Sequence, residues 1–124
     1  MKFKLITLIA FLQIAASCSQ EQVKIQHLSV ETLQEHLAKD TLQLIDVRTP
    51  EEYAQGHIPG AKLINVYDAD FIAQVAQNFN KETPVYVYCR SGKRSVKAAK
   101  LLRKAGFQSL YNLKKGYNAW AAKE

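Results

Sequence analysis

Short apolar strands alternating with amphipathic helices predict an α/β domain. Its core is a mostly parallel sheet of about five strands with helices on both faces. Three observations carry this reading. Residues 85–88, Val-Tyr-Val-Tyr, form a β-branched and aromatic run directly after Pro84, the mark of a buried strand. From Ser95 on, Val96, Ala98, Ala99, Leu101, Leu102 and Ala105 recur at helical spacing. A second apolar run, Leu42 to Val47, is interrupted only by Gln43 and Asp46. With 124 residues there is room for one core and not for two.

The chain opens on a cationic start, Met1 to Lys4, then runs apolar from Leu5 to Ala16 apart from Thr7 and Gln13. Ala15-Ala16-Ser17 supplies small residues before Cys18. This is the layout of a secretory signal over residues 1–17, too short to span a bilayer as a mature helix. A Cys directly after the small residues resembles a bacterial lipoprotein signal, in which that Cys becomes the acylated N-terminus. Ala15 stands where that pattern favours Leu, so ordinary signal cleavage and a buried N-terminal helix stay open. The resemblance implies an exported, periplasmic or cell-envelope lipoprotein. Residues 18–24 would then tether a domain at 25–122 to the membrane.

Val23 to Leu28 reads as an edge strand. Ser29 is a candidate N-cap for a helix carrying Val30, Leu33, His36 and Leu37. Pro50 with Glu51, Glu52 and Tyr53 marks a short helix start, since Pro fits the first turn and acids favour the N-terminal end. Gly56-His57-Ile58-Pro59-Gly60 punctuates a loop. Ala61 to Val66 reads as a strand. Asp68 to Phe79 reads as a helix with Ile72, Val75, Ala76 and Phe79 on one face and Asp68 or Asp70 as cap. Gly106 fits a helix stop. Phe107 to Leu113 holds the last strand. Gly116 to Ala122 forms a final helix with Tyr117 and Trp120 on its apolar side.

Between the central strand and its helix lie Cys89, Arg90, Ser91, Gly92, Lys93 and Arg94. A short strand-to-helix loop can turn its N–H groups inward, and the helix start adds unpaired donors and a positive dipole end. Such a cup holds an anion. A thiolate on Cys89 would be that anion, with a lowered pKa and nucleophilic character. The alternative is an inert buried Cys at a strand end, poorly suited to three neighbouring cations. Ligands of parallel sheets sit beyond the strand ends, which brings Asp46 and Cys89 to one rim.

Composition narrows the function classes. Lys and Arg outnumber Asp and Glu by 17 to 11, a formal charge of +6. Without Lys2 and Lys4 it is +4, spread along the chain rather than in a dense stripe with aromatics, so no nucleic-acid partner is expected. Cys18 and Cys89 are the two cysteines. No Cys-x-x-Cys or zinc spacing is present, and His27, His36 and His57 are scattered, so neither metal nor cofactor is expected.

Asp46-Val47-Arg48, Glu51-Glu52-Tyr53, Gly56-His57-Ile58-Pro59-Gly60-Ala61 and Cys89-Arg90-Ser91-Gly92-Lys93-Arg94 occur in the order of one family's motifs. From about Ile25 to Trp120 the chain resembles a single-domain rhodanese, a sulfurtransferase module. Leu113 to Trp120 resembles the closing segment, with Lys115 where Gly is usual, at a turn expected away from the nucleophile. The resemblance implies a rhodanese-like fold and two-step covalent catalysis. Cys89 takes the outer sulfur of a donor as a persulfide and a second nucleophile removes it. The amides of residues 90–94 would hold its charge, and Arg90, Lys93 and Arg94 would attract a small anionic donor such as thiosulfate. A thiol or cyanide would be the acceptor, and the chain is expected to be monomeric. Asp46 and Arg48 are expected to fix the loop's shape, and His57 to hydrogen-bond within its own loop. Four residues separate Cys89 from Arg94, where related phosphatases and arsenate reductases have five. A smaller cup favours one sulfur atom over a tetrahedral oxyanion. A sulfur carrier and a non-catalytic binding module are the other readings.

Overall fold

Each face of the central strand is buried, and the described elements show what covers it. The structure, a computed structural model, describes residues 23–123. The expected signal segment, Cys18 and the expected tether up to residue 22 lie outside the described residues. In chain order come β1 (Ile25–Leu28), α1 (Val30–Lys39), β2 (Gln43–Asp46), α2 (Pro50–Gln55) and β3 (Lys62–Leu63). They are followed by α3 (Phe71–Asn78), β4 (Val85–Tyr88), α4 (Lys93–Lys104), β5 (Leu110–Leu113) and α5 (Gly116–Ala121). The sheet order is β1-β5-β4-β2-β3, and every pairing is parallel. This is the expected α/β architecture, with β1 at an edge.

Strand alternation sorts the core into two layers. Val85, Val87 and Cys89 pack with Phe71, Val75, Ala98, Ala99 and Leu102, so α3 and α4 cover one face. Tyr86 and Tyr88 pack with Val30, Leu33, Ile58 and Trp120 on the other. Local chemistry fixes the helix starts. The Ser29 hydroxyl accepts from Thr32 N–H at 3.2 Å. Thr49 and Glu52 form a reciprocal capping box ahead of Pro50. Among the described residues no helix is long and apolar enough to cross a membrane.

Several boundaries differ from the sequence reading. Helix α4 begins at Lys93 and not Ser95, because its first two residues are cations that add nothing to an apolar period. Strand β3 is only Lys62–Leu63, although Ile64 and Val66 N–H still donate to the Asp46 and Val47 carbonyls at 3.0 and 3.1 Å. Helix α3 starts at Phe71, and Asp70 at its N-cap position makes no side-chain cap bond; instead it accepts from Gln74. Lys115 lies beside the nucleophile loop, as described next. Parallel order brings the C-terminal ends of β2 and β4 together, with Asp46 paired to Tyr88. Val47 N–H donates to the Tyr88 carbonyl at 3.0 Å, so Arg48 and Cys89 leave the sheet side by side.

Candidate active site

The loop from β4 to α4 closes on one sulfur atom. Gly92 holds φ +105, a left-handed conformation that favours glycine. A Cβ there would collide with the backbone oxygen of Lys114. This turn aims Gly92 N–H at Cys89 Sγ, 3.1 Å away. Ser95 Oγ lies 3.3 Å from the same sulfur and 3.2 Å from the Gly92 carbonyl oxygen. Its single proton can serve either acceptor, and an ionised sulfur draws it most strongly.

Cys89 is only 1% exposed. Burial pushes its thiol up. The Ser95 hydroxyl and N–H, with the Gly92 and Ser91 amides, outweigh burial and leave the pKa lowered. The sulfur therefore lies at the floor of the amide cup, with hydrogen-bond donors that a purely apolar core thiol lacks. The donors that act on it belong to Ser91, Gly92 and Ser95, within and just beyond the stretch 90–94 expected from the sequence.

Helix α5 braces the loop from behind. Tyr117 N–H donates to the Cys89 carbonyl at 2.8 Å, and Asn118 N–H to the Arg90 carbonyl at 3.1 Å. Gly116, at φ +62, sits where a Cβ would come within 2.5 Å of Arg90 C and O and of Cys89 O. The turn carrying Lys115 thus abuts the nucleophile loop, which corrects the expectation that it lies away from it. Lys115 itself has φ −108, so a side chain fits there without strain.

The cations divide by task. Arg94 donates to both Glu52 carboxylate oxygens, at 2.7 and 2.8 Å. The structure thus places it as a brace from α4 to α2. The same pair, led by the Arg94 hydrogen bonds, lowers Glu52 from 4.5 to about 2. Arg90 is exposed, its Nε 4.0 Å from Glu52. Lys93 is exposed and lines a shallow cavity with Ser91, Gly92 and His27. Arg90 and Lys93 are therefore the loop cations open to an incoming anion.

Asp46 and Arg48 form a buried pair. Arg48 Nε and Nη2 donate to both Asp46 oxygens, and Nη2 also to the Gly56 carbonyl at 2.7 Å. The guanidinium lies 4.4 Å from the Tyr117 ring centroid. The pair ties β2, the end of α2 and α5 together, a positioning role. His57 stacks on Tyr53 with centroids 3.7 Å apart, and its Nδ1 lies 3.0 Å from the Tyr53 carbonyl, as a loop residue would. Trp120 is buried as expected. The sequence reading assigned no task to Glu52 or Ser95. The Thr49-x-x-Glu52 capping spacing was visible, but only the fold sets Glu52 opposite Arg94.

Two outcomes follow from this geometry. Ser95→Ala removes a donor to the thiolate, so the thiol titrates at higher pH. Its alkylation at neutral pH slows on the order of tenfold, read as rate against pH. For Glu52, the folded pKa of about 2 lies below the ordinary 4.5. Its stabilising contribution is complete above the ordinary value and is lost as pH falls from there through the folded one. Glu52→Gln should lower the denaturation midpoint at neutral pH. It should also flatten the wild-type loss across that acid window, measured by chemical denaturation as a function of pH.

The model for the rhodanese-like domain matches residues 29–123. The uncharacterized protein YqhL of Bacillus subtilis is 44% identical over 84 residues, covering 65% of this chain and 62% of that protein. The chain thus spans about three fifths of that relative. The thiosulfate sulfurtransferase GlpE of Pseudoalteromonas translucida is 34% identical over 98 residues, covering 78% of this chain and 90% of that protein. The solved human single-domain sulfurtransferase TSTD1 superposes with a TM-score of 0.69 at 31% identity, over 82% of this chain and 99% of that one. Sheet order, nucleophile loop and these likenesses agree along the folded segment, and the chain belongs to the rhodanese-like domain family.

Proposed function

We propose that this chain is a sulfurtransferase that carries a sulfane sulfur on Cys89. The observation that carries the reading is the Gly92 N–H on Sγ at 3.1 Å, together with a thiol pKa lowered despite burial. With thiosulfate, the Cys89 thiolate attacks the outer sulfur. A Cys89 S–S bond forms, the donor's S–S bond breaks, and sulfite leaves with the electron pair. An acceptor thiolate or cyanide then attacks the outer sulfur, and Cys89 departs as thiolate. This is ping-pong chemistry in two steps. The cup's amides face negative charge in both the thiolate and the persulfide, which favours each without rearrangement. Thiosulfate is favoured because Arg90 and Lys93 offer exposed positive charge at the loop and because GlpE carries that donor in its name.

Three other readings compete. Phosphate or arsenate chemistry needs a guanidinium free to grip the oxyanion, whereas Arg94 is held by Glu52. A sulfur carrier would take its sulfur from a protein donor and not from free thiosulfate. Incubation with thiosulfate should add one sulfur atom to Cys89 by intact-protein and peptide mass spectrometry, and Cys89→Ser should gain none. Loading only from a protein persulfide would replace the enzyme reading with the carrier. No loading from any donor would leave a binding module.

The same proposal places the protein at the cell envelope. Lys2 and Lys4, the apolar run Leu5 to Ala16 and Cys18 support export and lipid attachment. Wild-type protein should sediment with membranes, and Cys18→Ala should move it to the soluble fraction. A soluble wild type that retains Met1 would rule the attachment out.

A further inference from the structure

Every exposed residue of α4 is a lysine. Lys93, Lys97, Lys100 and Lys104 face solvent, while Ser95, Ala98, Ala99 and Leu102 are buried against the sheet. Their spacing of four, three and four places them on one stripe about 17 Å long, starting at the nucleophile loop. The helix sequence Lys-Arg-Ser-Val-Lys-Ala-Ala-Lys-Leu-Leu-Arg-Lys contains no acid. Among the described residues, no ion pair involves these four lysines. Like charges at this spacing repel and cost helix stability.

Helix α3, which shares the face with α4, carries no charge between Phe71 and Asn78. On the opposite face, α1 carries Glu31, Glu35 and Lys39 beside the exposed Lys115 and Lys123, so that face holds both signs, unlike α4. The acids nearest α3 sit at its start, where Asp68 and Asp70 both accept from Gln74.

We propose that the outer face of α4 docks on an anionic phospholipid surface, which deepens the envelope location argued above. The stripe exposes no apolar or aromatic residue, and so lacks the anchors that carry protein interfaces. Charge alone suffices for headgroups, at about 1 kcal/mol per Lys near an anionic leaflet. The chain also arrives on this side. Val23 packs against the α3–α4 core layer, and its carbonyl accepts from Arg103 of α4 at 3.3 Å. Cys18 precedes Val23 by five residues, a reach of at most about 18 Å. Lipid on Cys18 would hold α4 near the bilayer and leave the loop mouth at its edge.

The test is co-sedimentation of the full chain with vesicles of phosphatidylcholine alone and of phosphatidylcholine mixed with phosphatidylglycerol. Wild type should partition more strongly onto the anionic vesicles, and the excess should fall as salt rises. Lys97→Gln with Lys100→Gln and Lys104→Gln should lower that partition about fivefold per lysine, on the order of a hundredfold together. Sulfur loading of Cys89 from thiosulfate should stay unchanged, which separates this test from the sulfurtransferase reading. Lys39→Gln on α1 should partition like wild type. Equal wild-type partition onto both vesicles, or a triple variant that binds like wild type, would overturn the proposal. So would a triple variant that loses only capture by polyglutamate, since the partner would then be an acidic protein. The Cys18→Ala fractionation reads the lipid anchor independently.

Discussion

The site depends on one backbone reversal. Gly92 adopts a left-handed φ that turns its amide onto the Cys89 sulfur, and the space for that turn is set from outside the loop. The Lys114 carbonyl leaves no room for a side chain at Gly92, and the Cys89 and Arg90 carbonyls leave none at Gly116. Strand β5 and helix α5 therefore hold the loop as a mould holds a cast. Two amides of α5 occupy the outward carbonyls of Cys89 and Arg90. The peptides of the loop are fixed at both ends, and its N–H groups are free to point toward sulfur.

Around this reversal, charge is arranged in layers. Closest to sulfur are neutral dipoles, the amides and the Ser95 hydroxyl. Next come Arg94 and Glu52, nearly neutral as a pair. Farther back, Asp46 and Arg48 cancel one another inside the protein. A buried pair of that kind adds little net stability and breaks badly if one partner is lost. Its service here is alignment, since Arg48 also contacts Gly56 and the Tyr117 ring. Exposed positive charge flanks the loop on its outside, on Arg90 and along α4.

Much of this was legible in the residues. The run at 85–88, the Ser29 cap and Pro50 gave β4, α1 and α2 near their observed places, because each rests on a local rule. Cys89 in a cationic strand-to-helix loop was legible for the same reason. Helix α4 was set two residues late because Lys93 and Arg94 are helical without being apolar. Strand β3 was read too long because Ile64 and Val66 are buried like strand residues, while the regular ladder ends at Leu63 and only single bonds to the Asp46 and Val47 carbonyls continue beyond it. The partnership of Glu52 with Arg94 spans 42 positions, and no periodicity reports a contact of that range. Lys115 was misplaced for the same reason, since only the fold folds the closing segment back over Cys89.

The sunken position of Cys89 has a further consequence for which reagents can reach it. A disulfide needs its two Cα atoms roughly 4.4–6.8 Å apart, and burial of Cys89 to 1% exposure makes that approach hard for a rigid neighbour's cysteine. Shape therefore disfavours cross-linking of this thiol to other chains and favours a small or protruding reagent.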